Sequence, residues 1–101
     1  MTALDQVTVE TFQPHVGSEF RLAMQEGQPP IAMLTLQGAT PSKYKPDSGR
    51  VPFSLFFDGP AQPALGQDVY CLSHDSLGDM TIFIVPVSGD SQSRRYQAVF
   101  S

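Results

Sequence analysis

Six short runs rich in β-branched and aromatic residues recur along this chain, separated by clusters of glycine, proline, serine and aspartate. Runs of this length and spacing are typical of antiparallel β-strands joined by turns. The predicted strands span residues 19–24, 31–38, 53–58, 68–74, 80–87 and 95–100. This pattern restricts the chain to an all-β fold.

The connections between the runs predict the architecture. Short turns join the first strand to the second, the fourth to the fifth and the fifth to the sixth, which favours antiparallel neighbours. Longer connections cover residues 39–52 and 59–67. Thr8 is a candidate cap for one short helical turn that ends at Phe12, before Pro14 and Gly17. We therefore expect one domain over residues 1–101, a small antiparallel barrel or two-sheet sandwich with a short N-terminal helical turn.

The composition favours a packed domain that needs no disulfide or metal cross-link. The chain has 101 residues, of which 41% are hydrophobic and only 16% charged. A chain of this length buries roughly 60 to 68% of its unfolded surface, which is enough for a stable core. We expect it to fold without a disulfide or a metal.

Charge and hydropathy limit the classes of partner. The formal net charge is -4 and no basic stripe occurs, so nucleic acid is not an expected partner. No apolar stretch of about 20 residues is present to span a bilayer, so no membrane association is expected. Cys71 is the only cysteine, which suits a reducing compartment. We expect a cytoplasmic protein.

Three of the predicted strands are apolar on both faces, although one face of a small barrel or sandwich is normally solvated. Either loops of the chain cover the second face, or a second copy or another protein does. The sequence alone does not show which face forms the core. The two sets in each strand are Ala32, Leu34 and Leu36 against Ile31 and Met33; Phe53, Leu55 and Phe57 against Phe56; and Ile82 and Ile84 against Phe83, Val85 and Val87.

Two groups of residues are candidates for binding a protein partner. The first is the apolar set Phe56, Phe83 and Val85 on the second strand face. The second is the cluster Lys43-Tyr44-Lys45, a local positive island in the long proline-containing connection of an acidic protein. A protein-interaction or assembly module is the function that we expect.

Catalytic chemistry has little support in the sequence. Ser73, His74 and Asp75 are the residue types of a hydrolase triad, but consecutive strand residues point to opposite faces and cannot form the relay. The usual motifs for nucleotide binding, nucleophile elbows and zinc proteases are absent from the sequence. With His15, His74 and one cysteine, no structural zinc set is available. We expect no cofactor and no metal, and we do not expect an enzyme.

Two other functions remain open at this stage. A small-molecule-binding barrel would use Tyr70, Tyr96, Phe100 and Met33 to line an interior cavity. A hydrolase with an unusual dyad would need His15 or His74 within hydrogen-bond reach of a serine hydroxyl in a cleft.

Over nearly its full length the chain resembles a small family of bacterial all-β domains of about one hundred residues. The resemblance rests on Pro14-His15-Val16-Gly17; Pro52-Phe53-Ser54-Leu55 with Phe57, Gly59 and Pro60; Tyr70, Leu72, His74, Leu77 and Gly78; the run Ile82-Phe83-Ile84-Val85-Pro86-Val87; and Tyr96, Ala98, Val99 and Phe100. The chain departs from the family pattern at Gly66, where proline is usual, and at Ser101, where asparagine is frequent. This family has no assigned activity, so the resemblance implies no catalytic residue. It does imply an association with phage-tail-like assemblies.

Overall fold

The computed structural model describes residues 8–41, 52–61 and 65–100. One short helix, α1 (Val9–Phe12), runs into a 3-10 turn (Gln13–His15). The six strands that follow are β1 (Glu19–Ala23), β2 (Ala32–Pro41), β3 (Phe53–Pro60), β4 (Asp68–His74), β5 (Gly78–Gly89) and β6 (Ser93–Phe100). The all-β prediction is confirmed, with each expected strand in its expected place.

The six strands close into a barrel in the order β1-β2-β3-β6-β5-β4. Each neighbouring pair is antiparallel. Strands β2 and β5 are longer than predicted, and each contains a register shift, between Leu36 and Gly38 and between Pro86 and Ser88. Irregularities of this kind bend a strand and let pairing continue beyond the shift. The fold is therefore a closed barrel, one of the two architectures expected.

In the strands that are apolar on both faces, one set of apolar side chains points into the barrel and the other points outward. In β3 the side chains of Phe53, Leu55 and Phe57 are buried while Phe56 is only half-buried. The same alternation occurs in β2 and β5. The side chains with no exposed surface in the barrel core include Phe20, Leu22, Leu34, Leu36, Leu55, Phe57, Leu72, Ile84, Tyr96 and Ala98. Burying one large apolar side chain contributes about 1.5–3 kcal/mol, so each large member of this set stabilises the barrel.

Helix α1 packs onto the strand ends where β3 begins and β6 ends. The ring of Phe12 has no exposed surface, and its centroid lies 5.9 Å from that of Phe53 and 5.8 Å from that of Phe100. A four-residue helix is too short to be stable alone, so packing of Phe12 holds it. The predicted helical turn is confirmed. Pro14 lies within the 3-10 turn that follows, so the helical path continues for one more turn past Phe12.

Gly59 lets β3 approach β2 closely. A Cβ at this position would lie 2.5 Å from Leu34 Cδ2, which is closer than carbon atoms approach without displacement. Nearby, the backbone N–H of Leu65 donates to the hydroxyl of the buried Tyr96 at 3.3 Å. The close approach and the hydrogen bond fix this part of the core.

No helix in the described ranges has both the length and the hydropathy needed to cross a membrane.

Candidate functional site

The outer side of β4, β5, β6 and β3 carries a cluster of apolar side chains that the core does not use. We call it the outer apolar face; its members are Val69, Phe83, Val85, Phe56 and Val99. Val69 lies directly opposite Phe83 in the β4–β5 pair. Val85 and Phe56 lie on either side of the same residue of β6, Gln97. The outer apolar face therefore extends across four adjacent strands.

Exposure separates this face from an ordinary barrel surface. Phe83 is 48% exposed, Val69 46% and Val99 65%, whereas Phe56 and Val85 are half-buried. Single exposed apolar residues are common on soluble proteins, whereas contiguous exposed apolar groups are less so. The structure thus brings together the predicted residues Phe56, Phe83 and Val85. Lys43, Tyr44 and Lys45 lie outside the described residues.

The members of the outer apolar face carry no charge. The polar residues Gln97 and Ser54 lie beside them on β6 and β3, with Gln97 Nε2 donating to Ser54 Oγ at 3.1 Å. Charged groups lie at the margins, where Arg95 Nε donates to Asp58 Oδ1 at 2.9 Å and where Asp68 precedes Val69. Little desolvation of charge would accompany burial of this face.

Closure of the barrel determines how a partner would make contact here. Each of the described strands has a neighbour on both sides. Adding a further strand needs a free sheet edge with unpaired backbone groups. The described strands therefore offer side chains, and no free strand edge, for contact on this side of the molecule.

A second feature is a cleft of about 540 Å³ between the 3-10 turn, β1 and the turn at residues 75–77. We call it the histidine cleft. Its lining includes His15, Ser18, Arg21, His74 and Asp75. The rings of His15 and His74 meet edge to face with centroids 4.7 Å apart. Arg21 donates to Asp75 Oδ1 at 2.9 Å at the rim.

His74 uses both ring nitrogens in hydrogen bonds. Its Nδ1 accepts from the backbone N–H of Ser76 at 3.0 Å and from that of Leu77 at 3.2 Å. Because a backbone N–H can only donate, Nδ1 carries no proton and the proton of the neutral ring lies on Nε2. That nitrogen lies 2.9 Å from Ser18 Oγ, and Ser18 Oγ donates to the carbonyl of His15 at 2.5 Å.

This direction of donation does not activate the serine. A general base must accept the serine proton, as the histidine of a hydrolase triad does. Here Nε2–H donates to Ser18 Oγ, and the serine proton is directed at a backbone carbonyl. The pair satisfies the distance expected of a hydrolase dyad but has the opposite polarity. The pair joins the segment between the 3-10 turn and β1 to the end of β4.

The surroundings of His74 favour the neutral form of its ring. The side chain is 7% exposed and packs on Phe20, with ring centroids 4.5 Å apart. Burial lowers the pKa of His74, the neighbouring His15 and Arg21 lower it further, and Asp75 opposes them. An uncharged ring is what the two N–H donors at Nδ1 require.

The sequence predicted only some of the partnerships in the histidine cleft. Ser73, His74 and Asp75 do not act together, because His74 bonds to Ser18 and Asp75 bonds to Arg21. The partnership of Ser18 with His74 was not predicted, since 56 positions separate the two residues and only strand pairing brings them close. In the described part of the chain, no three His, Cys, Asp or Glu residues converge as a metal site.

The four residues proposed to line a ligand cavity lie on different sides of the barrel wall. Tyr70, Tyr96 and Phe100 are buried in the core cluster, where Phe100 stacks on Phe53 at 4.7 Å. Met33 is 41% exposed and lines the histidine cleft outside the barrel. The prediction is wrong for Met33, because its strand alternation places Ala32 and Leu34 inside and Met33 outside.

The chain belongs to the family described as Domain of unknown function (DUF6916), whose model matches residues 7–100. This agrees with the resemblance to a small domain of unknown function. The chain has no match among curated proteins or among solved structures.

Proposed function

We propose that this member of the DUF6916 family is a non-enzymatic assembly module that associates with a second copy of itself through the outer apolar face. The observation that carries the proposal is the contiguous exposure of Val69, Phe83 and Val99 on one side of a closed barrel. A packed core exists without these residues, so their apolar character is not needed for the interior.

A second copy fits the charge of this face. Each copy carries a formal net charge of -4, which opposes association in general, so contact between copies is least unfavourable on a surface without charged side chains. The outer apolar face is such a surface, with the Asp58–Arg95 pair at its margin. A two-fold axis through the face would place Phe83 of one copy against the same face of the other.

The resemblance described above extends the proposal to a specific setting. We propose that the module is an accessory of a phage-tail-like apparatus in the cytoplasm. The single cysteine, which is buried, supports a reducing compartment. This setting is tested by co-purification with the products of neighbouring genes, using the variants below as controls.

The direct test is light scattering coupled to size exclusion across about two decades of protein concentration, since weak association is populated only at the upper end. Phe83→Asp puts a charge at the centre of the face. Met33→Asp is the matched control, because Met33 is similarly exposed on β2, across the barrel from β5.

We expect the mass of the wild type and of Met33→Asp to rise from monomer toward dimer with concentration. Phe83→Asp should remain monomeric with an unchanged circular dichroism spectrum. A wild type that stays monomeric throughout, or a dimer unaffected by Phe83→Asp, would contradict the proposal. A different protein that requires Phe83 would then replace the second copy as the occupant.

A further inference from the structure

We propose that His74 is an acid-sensitive latch, whose protonation releases the turn at residues 75–77 and opens the histidine cleft. The inference is independent of the outer apolar face. It rests on hydrogen bonds that only the neutral ring can make.

The latch joins two parts of the chain that are distant in sequence. On one side, Nδ1 of His74 accepts from the backbone of Ser76 and Leu77. On the other, Nε2 bonds to Ser18 Oγ, which in turn bonds to the carbonyl of His15. Every donor in this sequence of bonds meets an acceptor. The ring thereby holds the turn at residues 75–77 against the segment between the 3-10 turn and β1.

A second ring proton has no acceptor in this arrangement. It must bind at Nδ1, where the N–H groups of Ser76 and Leu77 already point at the nitrogen. Three donors would then face one another, and both bonds to the turn would be lost. Loss of these bonds removes the attachment of the turn to the imidazole.

The groups that face His74 from the surrounding elements mostly oppose its positive charge. His15 approaches from the 3-10 turn with a ring separation of 4.7 Å, and Phe20 of β1 offers only an apolar ring. Arg21 of β1 is cationic, Asp75 favours the charged ring, and Glu19 of β1 is a second carboxylate in the lining of the histidine cleft. Asp75 is itself paired with Arg21, which reduces its effect on His74. Burial is the largest of these influences and, like His15 and Arg21, lowers the pKa of His74.

The experiment is a pH titration from about 8 to about 5, a window that spans the ordinary histidine pKa. Two-dimensional NMR follows the ring of His74 together with the backbone amides of Ser76 and Leu77. The non-titrating variant His74→Asn is the control, since an asparagine Oδ1 can accept from the same turn. His15→Gln keeps His74 and removes only the neighbouring imidazole.

We expect the amides of Ser76 and Leu77 to shift with the same midpoint as the His74 ring, and their exchange with solvent to accelerate, while most strand amides stay unchanged. In His15→Gln the shared midpoint should move to higher pH, because the imidazole that lowers the pKa of His74 is gone. Three results would overturn the proposal: turn amides that do not move while His74 titrates, equal shifts in His74→Asn, or a His74 that charges only when the whole domain unfolds.

Discussion

Val69 and Phe83 lie directly opposite one another across β4 and β5, and both side chains point away from the core. Cross-strand apolar pairs of this kind contribute roughly 0.2–1 kcal/mol relative to alanine pairs. The interior neighbour of Phe83 on the same strand, Ile84, has no exposed surface. The inner side of β5 thus contributes to the core, whereas the apolar pair on its outer side is exposed and is not part of the core.

Replacing Phe83 should therefore have little effect on the stability of the monomer. We expect Phe83→Thr, which retains a high β-propensity, to change the free energy of unfolding by less than about 1 kcal/mol. Phe57→Ala, on a buried position, should cost about 3–5 kcal/mol. Chemical denaturation at a concentration low enough to keep the protein monomeric measures both. Equal losses in the two variants would show that Phe83 belongs to the core.

Gly59 should tolerate no side chain. Gly59→Ala places a methyl group against Leu34 Cδ2, which is fully buried and has little room to move. Overpacking of this kind costs about 1–3 kcal/mol.

The control for this substitution is Gly38→Ala. Gly38 has open space around the added methyl and no positive φ, so the free energy of unfolding should change by no more than about 0.5 kcal/mol. If both alanine variants were equally stable, β2 and β3 would not approach one another as closely as described.

The turn between β5 and β6 should depend on the ionised carboxylate of Asp90. Asp90 Oδ1 accepts from the backbone N–H groups of Gln92 at 2.8 Å and Ser93 at 2.9 Å, and these bonds lower the pKa of Asp90. A carboxylate with a lowered pKa stabilises the fold above the pKa of the unfolded chain. This contribution is lost as pH falls through the folded pKa.

Two variants separate the charge of Asp90 from its hydrogen bonds. Asp90→Asn keeps an oxygen acceptor for both N–H groups and should show a smaller loss of stability in acid than the wild type does. Asp90→Ala should be less stable at every pH, because the acceptor is gone. Urea denaturation over a series of pH values measures the differences. Parallel pH profiles for wild type and Asp90→Asn would disprove the role of the charge.

His74 predicts a further pH dependence of stability, at higher pH than that of Asp90. Its lowered pKa means that the unfolded chain binds a proton before the folded chain does. Stability is complete above the unfolded histidine pKa of about 6.5 and falls as pH decreases toward the folded pKa.

Over that window, the folding equilibrium constant of the wild type should fall by up to about tenfold per pH unit more than that of His74→Asn. Thermal or urea denaturation between about pH 7 and about pH 5 provides the comparison. A wild type and a His74→Asn variant that lose stability in parallel would contradict the assignment of a neutral, buried ring.

The strands were predictable from sequence because alternation and turn residues are local signals. In β3, Phe53, Leu55 and Phe57 repeat at the period of a strand, and Gly59 and Pro60 follow. The choice of the inner face was not predictable, because Phe56 is as apolar as its neighbours. Only barrel closure decides which set faces inward, and closure depends on pairings such as β3 with β6 that join distant parts of the chain.

The candidate sites follow the same division. Phe56, Phe83 and Val85 were predictable as members of a second apolar face, since that inference needs only the strand period. The bond between Ser18 and His74 was not, because it depends on the register in which Arg21 lies opposite Ser73. The spacing of residues within one strand does not reveal the register between β1 and β4.

Association of copies of this protein through the outer apolar face can be followed residue by residue in a dilution series recorded by backbone NMR. We expect concentration-dependent shifts concentrated at Val69, Phe83, Val85 and Val99, with the histidine cleft unchanged. Shifts centred on His15 and His74, or a spectrum that is independent of concentration, would contradict it.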